Sequence, residues 1–192
     1  MDRPHVATIR SSPRDSSAAS VNERRRISLG IGAVVVVDAP TVVRTVLGSC
    51  IAAIFHVPRL RVSAVCHAQM PEPGDGLHCD ETCPHPCRQR RPSDTNDLKY
   101  VTCCIRYMLD ELEKRGVGKS EIVCTLVGGA NVVRNIDLRW SVAGRNVTMA
   151  KRVLAREGIN IRYEDTGGSQ GRVIEHTNDL NQTKVRYHES TA

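Results

Sequence analysis

Cysteine and histidine recur close together in the stretch VRTVLGSCIAAIFHVPRLRVSAVCHAQMP, residues 43–71, as Cys50, His56, Cys66 and His67. A cysteine beside a histidine is the smallest apparatus for nucleophilic attack on an acyl carbon: the imidazole takes the thiol proton and the sulfur forms the covalent bond. The thiolate is the nucleophile, and an ordinary thiol with a pKa of about 8.5 is mostly protonated at neutral pH, so a reactive cysteine needs partial exposure and a neighbour favouring ionisation. Cys50 fits best. Gly48 permits a sharp bend at the end of a strand, which would put Cys50 at the bend. The backbone N–H groups around it, in the region of Ser49 and Ile51, would then be free to face a developing oxyanion. His67, seventeen residues on, is the matching base. It ends a strand that pairs antiparallel through a turn at Pro58, so the two ends lie side by side. His56 precedes Val57 and Pro58 at the far turn and is expected to face solvent. Cys66 directly precedes His67, so in an extended strand it points to the opposite face and reads as a core thiol. Spacing alone leaves a bland alternative standing, in which these are core residues without chemistry.

A second group lies in HCDETCPHPC, where Cys79, Cys83 and Cys87 recur every four residues. Structural zinc sites more often use paired cysteines two or four residues apart with a second pair further on. This spacing would suit a helix, but Pro84 and Pro86 exclude one. The three cysteines are therefore metal candidates against a preferred reading as a thiol-bearing insertion. The glycine pairs Gly128-Gly129 and Gly167-Gly168 lack the lysine and serine or threonine of a phosphate loop and read as tight turns near the site. Asn131 and Thr166 beside them are candidates for holding substrate.

Elements able to position these groups are legible in the pattern. Short β-branched runs, GAVVVVDA, TVVRTVLG, IAAIFHV and VSAVCHAQ, read as strands joined by tight connections. A helix is expected from Asp94 or Thr95, with Leu98, Val101, Ile105, Met108, Leu109 and Leu112 on one face and Gly116 as its stop. EIVCTLVGGA reads as a buried strand. RNVTMAKRVLAREG reads as a second helix with Val147, Ala150, Val153 and Leu154 inward, ended by Gly158. INIRYED is a further strand, and RVIEHTNDLNQTKVRYH a hairpin turning at 178–181. Of Cys103 and Cys104, one should face the core and the other the helix edge. The sum is an α+β domain: a strand-rich core, two covering helices and a closing hairpin. Residues 1–26 read as a disordered basic tail, 27–192 as a single domain, and 71–92 as a Cys- and Pro-rich loop within it.

The chain has 192 residues and a formal net charge of +6, with 40% apolar residues and only 3% aromatics. So few aromatics, with the basic residues dispersed, argue against nucleic-acid binding. No apolar run reaches the length that crosses a bilayer. The first residues hold no secretory apolar segment. A cytoplasmic protein is expected, with its eight cysteines reduced.

Five segments in order, LGSCIAAIF, HAQMP, GGANV, AGRNV and EDTGGSQGR, resemble the motif series of the chemoreceptor glutamine deamidases of bacterial chemotaxis. The likeness spans about 28–187. It implies a layered α/β sandwich akin to the cytotoxic necrotizing factor toxins. The activity it implies is deamidation of glutamines on the cytoplasmic helices of methyl-accepting chemotaxis receptors, with a chemotaxis phosphatase as a further partner and no metal or organic cofactor. Residue by residue, it implies Cys50 as nucleophile and His67 as the histidine of the family's H-x-x-L-P motif, with Met70 in the leucine's place. The third catalytic residue is a threonine shortly before the cysteine. Here that is Thr45, one position later than the family's usual place, which Arg44 occupies. Two alternatives stand beside an enzyme: a non-catalytic adaptor of the same fold binding receptor or phosphatase, and a metal-binding regulatory module built on Cys79, Cys83 and Cys87. Methylester hydrolysis is a chemically close third.

Overall fold

The computed structural model describes residues 24–72, 98–132 and 141–188, together with a short strand at Ala7–Thr8. In chain order the elements are β1 (Ala7–Thr8), β2 (Arg25–Ser28), β3 (Val34–Val37), β4 (Thr41–Leu47), β5 (Ile51–Val57), β6 (Val62–Cys66), α1 (Val101–Glu113), β7 (Val123–Gly128), α2 (Val142–Arg156), β8 (Ile161–Thr166), β9 (Arg172–Thr177) and β10 (Gln182–Tyr187). Two mixed sheets form, one in the order β1-β3-β6-β5-β7-β8 and one in the order β10-β9-β4-β2.

Side-chain parity sets the layers. In β3, Val34 and Val36 join α1 and α2 in one core, while Val35 and Val37 join Val43, Leu47 and Ile174 of the second sheet in another. β5 divides the same way: Ile51, Ala53, Phe55 and Val57 face the helices, Ala52 and Ile54 the second sheet. The larger sheet is thus covered on both faces, which is why VVVV and IAAIF read as unbroken apolar runs and not as alternation. The fold is an α+β sandwich of helices, six-stranded sheet and four-stranded sheet. The chain's single phenylalanine, Phe55, is completely buried in the helix-facing core.

The expected strands, the second helix and the hairpin all form, and the hairpin turns through Asn181 in the left-handed region (φ 46°). Five details differ from expectation. α2 begins at Val142, three residues ahead of the anticipated Arg145, because Ser141 caps it: its side chain accepts from Gly144 N–H at 3.1 Å. Arg25 and Arg26 already pair with Thr41 and Val42, so β2 starts inside the anticipated tail. Cys103 and Cys104 are both buried. His56 is 4% exposed and not on the surface, because its parity puts it with Ala52 and Ile54 beneath the second sheet. The helix expected from 94–95 begins, as α1, only at Val101, because Tyr100 before it is extended (φ −90°, ψ 136°) and bridges to Met70, so Leu98 lies ahead of the helix. Residues 94–95, Cys79, Cys83, Cys87 and most of the tail and of the 71–92 loop lie outside the described residues. Among the described residues no helix is long and apolar enough to cross a membrane.

Candidate active site

The two chain segments that carry Cys50 and His67 meet at one hydrogen-bonded pair. Ile51 N–H donates to Ala68 O at 2.9 Å and Ala68 N–H to Ile51 O at 2.8 Å. Both of these side chains pack into the helix-facing core. Cys50 and His67, each one residue earlier, therefore turn to the other face, toward the second sheet. They stand diagonally across the two strands, at a backbone separation of about 7–8 Å that an imidazole can span. Cys66 packs among the helix-facing residues, as its parity requires.

The second sheet supplies the next group. Thr45, inward on β4 and 2% exposed, places its Oγ1 2.8 Å from His67 Nδ1 and 2.7 Å from Leu29 O. A hydroxyl has one proton. The Leu29 carbonyl can only accept, so Thr45 O–H donates there and His67 Nδ1–H donates to Thr45 Oγ1. The ring proton is thereby assigned to Nδ1, and Nε2 keeps its lone pair. That Nε2 is buried and has no hydrogen-bond partner. The backbone of His67 is held as firmly, its N–H donating to Ala33 O (2.9 Å) and its O accepting from Gly32 N–H (2.8 Å). Arg44, the alternative position for the threonine, points outward and lies 3.8 Å from Glu175.

Cys50 is 8% exposed. Burial pushes its thiol up, and its own backbone N–H offsets part of that. Burial pulls His67 down, with the Leu29 carbonyl opposing. At rest the site therefore holds a neutral thiol and a neutral imidazole, not the thiolate in a partly exposed bend that the sequence suggested; the inter-sheet layer is too dry to favour an ion pair. Gly48 adopts an ordinary φ, so the bend does not depend on it. The glycines that matter are Gly128 (φ 120°) and Gly129 (φ 65°): a Cβ on Gly128 would collide with the Cys50 carbonyl, and Gly129 N–H donates to that carbonyl at 2.7 Å. They are tight turns against the cysteine's backbone. The Ile51 N–H, anticipated in the oxyanion region, is spent on Ala68. The Ser49 and Cys50 N–H groups donate to no described carbonyl. The loop of Gly167-Gly168 is tied to the same corner by Gly167 N–H to Gly128 O (2.9 Å) and Asn131 N–H to Gly168 O (2.8 Å). Thr166 turns instead to Glu164 (2.5 Å).

One residue escaped the sequence reading. Asn146, on α2 and fully buried, donates from Nδ2 to Ser49 O (3.0 Å) and Gln69 O (2.9 Å). Its signal was an amide within the buried stripe of Ala143, Met149, Ala150 and Val153, where a polar side chain needs a reason. Among the described residues no three histidine, cysteine or carboxylate groups are placed to hold a metal ion.

Fold and site together define an α+β sandwich in which an imidazole bonded to a hydroxyl lies on the same sheet face as a buried thiol, a set of groups of the kind used in acyl chemistry. The chain belongs to the CheD family, described as CheD chemotactic sensory transduction, whose pattern it matches over residues 83–187. It is 33% identical over 135 residues to the probable chemoreceptor glutamine deamidase CheD 2 of Geobacter sulfurreducens, covering 70% of this chain and 72% of that one. The probable chemoreceptor glutamine deamidase CheD of Maridesulfovibrio salexigens is 32% identical, over 78% of this chain and 84% of its own. The chemoreceptor glutamine deamidase CheD of Thermotoga maritima is 28% identical, over 82% and 89%.

Proposed function

We propose that the protein deamidates glutamines of methyl-accepting chemotaxis receptors in the cytoplasm, with Cys50 as nucleophile, His67 as general base and acid, and Thr45 as the residue that orients His67. The observation that carries this is the buried, unpartnered Nε2 of His67, proton-free and on the same face as the Cys50 thiol. As Cys50 Sγ attacks the side-chain carbonyl carbon of the glutamine, its proton passes to His67 Nε2 and the carbonyl oxygen becomes an oxyanion. In this reading the Cys50 N–H, which donates to no described carbonyl, receives that oxyanion. Collapse breaks the C–N bond, and ammonia leaves with the proton from His67. Water, deprotonated by the same nitrogen, then adds to the thioester. The C–S bond breaks, the thiol regains its proton and the side chain leaves as glutamate. No cofactor enters this scheme. Because thiol and imidazole start neutral, activity requires an unprotonated His67 and should fall only as pH drops through its depressed pKa, below the ordinary 6.5.

The partners in this reading are the receptor's cytoplasmic helices and a chemotaxis phosphatase. The relatives' names support the substrate. The test is mass analysis of a receptor cytoplasmic fragment incubated with the protein and with Cys50→Ala. Amide-to-acid conversion by the first and none by the second is expected. Equal inactivity of both would favour the adaptor, and equal activity would remove Cys50 from the mechanism.

A further inference from the structure

Three successive carbonyls around Cys50 accept hydrogen bonds from outside β4 and β5. Gly48 O accepts from Ala130 N–H (2.9 Å), Ser49 O from Asn146 Nδ2 (3.0 Å) and Cys50 O from Gly129 N–H (2.7 Å). The outer two donors are backbone; only the middle one is a side chain. Asn146 acts where the ladder fails. Beyond the Ile51–Ala68 pair the strands separate: the Gln69 and Met70 N–H groups both donate to Lys99 O (2.8 and 3.0 Å) and Met70 O accepts from Val101 N–H (2.8 Å). The Asn146 amide spans that gap, touching one carbonyl on each strand. Both partners are acceptors, so its NH2 must face them. Its Oδ1 is then left buried with no partner, an arrangement that folded proteins rarely keep without a use.

The planarity of the peptide carries the effect onward. In a trans peptide the C=O and N–H point in opposite directions, and no described peptide bond is cis. With Ser49 O drawn toward α2, the Cys50 N–H of the same plane points away from α2, to the side that holds Cys50 Sγ and His67. We propose that Asn146 is a positioning residue: by holding Ser49 O, it fixes the Cys50 N–H as the donor to the oxyanion formed on the substrate amide. This rests on the deamidase reading and names a part of its machinery. The position of that N–H against its own sulfur agrees with it. Without the clamp the Ser49–Cys50 peptide is free to rotate, and a carbonyl oxygen then faces the sulfur and the oxyanion.

Asn146→Asp tests this in the full chain, since it keeps the shape and turns the donor into a carboxylate facing two carbonyl oxygens. Against a receptor fragment its kcat should fall about 100-fold, the scale of one lost oxyanion donor, with KM changed by no more than about twofold. The pH midpoint for alkylation of Cys50 by iodoacetamide should move upward. Asn146→Ala should do the same, and the exposed neighbour Arg145→Ala should do neither. If both Asn146 variants are folded by circular dichroism and keep the wild-type kcat and alkylation profile, the proposal is overturned; a loss confined to KM overturns it as well. If the wild-type protein deamidates nothing, the deamidase reading fails separately, and the alkylation profile alone decides: a shifted midpoint supports the clamp and an unchanged one removes it. Should Asn146→Asp not fold, Asn146→Ala is read in its place by the same criteria.

Discussion

His67 and His176 are both buried between the two sheets, 3% and 1% exposed, and Ser63, which His176 bonds, precedes His67 by four residues, about 14 Å along the strand. Their hydrogen bonding differs. His176 uses both ring nitrogens, Nε2 with Ser63 Oγ at 2.9 Å and Nδ1 with Thr183 Oγ1 at 3.0 Å. Ser63 also meets His56 Nδ1 at 2.9 Å, so the two histidines share one hydroxyl, with their rings edge-on at 6.1 Å. His67 uses one nitrogen, on Thr45, and leaves the other idle. Both are paired with hydroxyls, and both are neutral because burial penalises the charged ring. What separates a structural histidine from one able to work is the unused lone pair and a thiol on the same face. Burial and perturbed titration do not separate them, since His176 is the more perturbed, pushed down to about 4.

The comparison breaks first at His67. His67→Ala should lower the deamidation rate at least about 1,000-fold, within the range general acid–base catalysis supplies, while a His176→Gln protein that remains folded should keep nearly full turnover. Equal losses in the two, measured as kcat on the same receptor fragment, would end the distinction. The next effect is on stability. His176 has its ordinary value of 6.5 when unfolded and about 4 when folded, so the unfolded chain binds more protons between those values. Its contribution is complete above pH 6.5 and is lost as pH falls toward 4, by about 3 kcal/mol. His56, shifted in the same direction, adds to the slope. Urea denaturation at pH 7 and pH 4.5 should show this loss, reduced in His176→Gln. A slope unchanged by that substitution would mean that His176 does not titrate as its burial dictates. The smallest effect sharpens the role of Thr45. Thr45→Val removes the acceptor that holds the ring proton on Nδ1 and should cost about tenfold in kcat. Thr45→Ser should retain most activity, because the hydroxyl is what Leu29 O and Nδ1 require. If valine and serine behave alike, the hydroxyl has no part in orienting the ring.

Strand parity explains most of what could be read in advance. Cys50 and His67 on one face and Cys66 on the other follow from a period of two and a single antiparallel pairing through the Pro58 turn. The same period failed for His56 only because nearness to a turn suggested solvent, and the cover over it comes from β9, more than a hundred residues on (|i−j| 113 between Ser63 and His176). The thiolate expectation failed for a related reason. Ionisation depends on how dry the layer is, and the dryness comes from the second sheet closing over the first.

By itself the sequence determined which residues become strands, which face each side chain takes, and that one thiol and one imidazole end up on neighbouring strands, because these depend on local sterics and a repeat of two. Tertiary structure alone decided which group turns the ring of His67, which nitrogen keeps its lone pair, and how the peptide at Cys50 is held. Thr45 meets His67 only by the packing of one sheet on another, and Asn146 reaches Ser49 and Gln69 across 97 and 77 residues. Contacts that distant are set by how layers pack, and no local pattern encodes them.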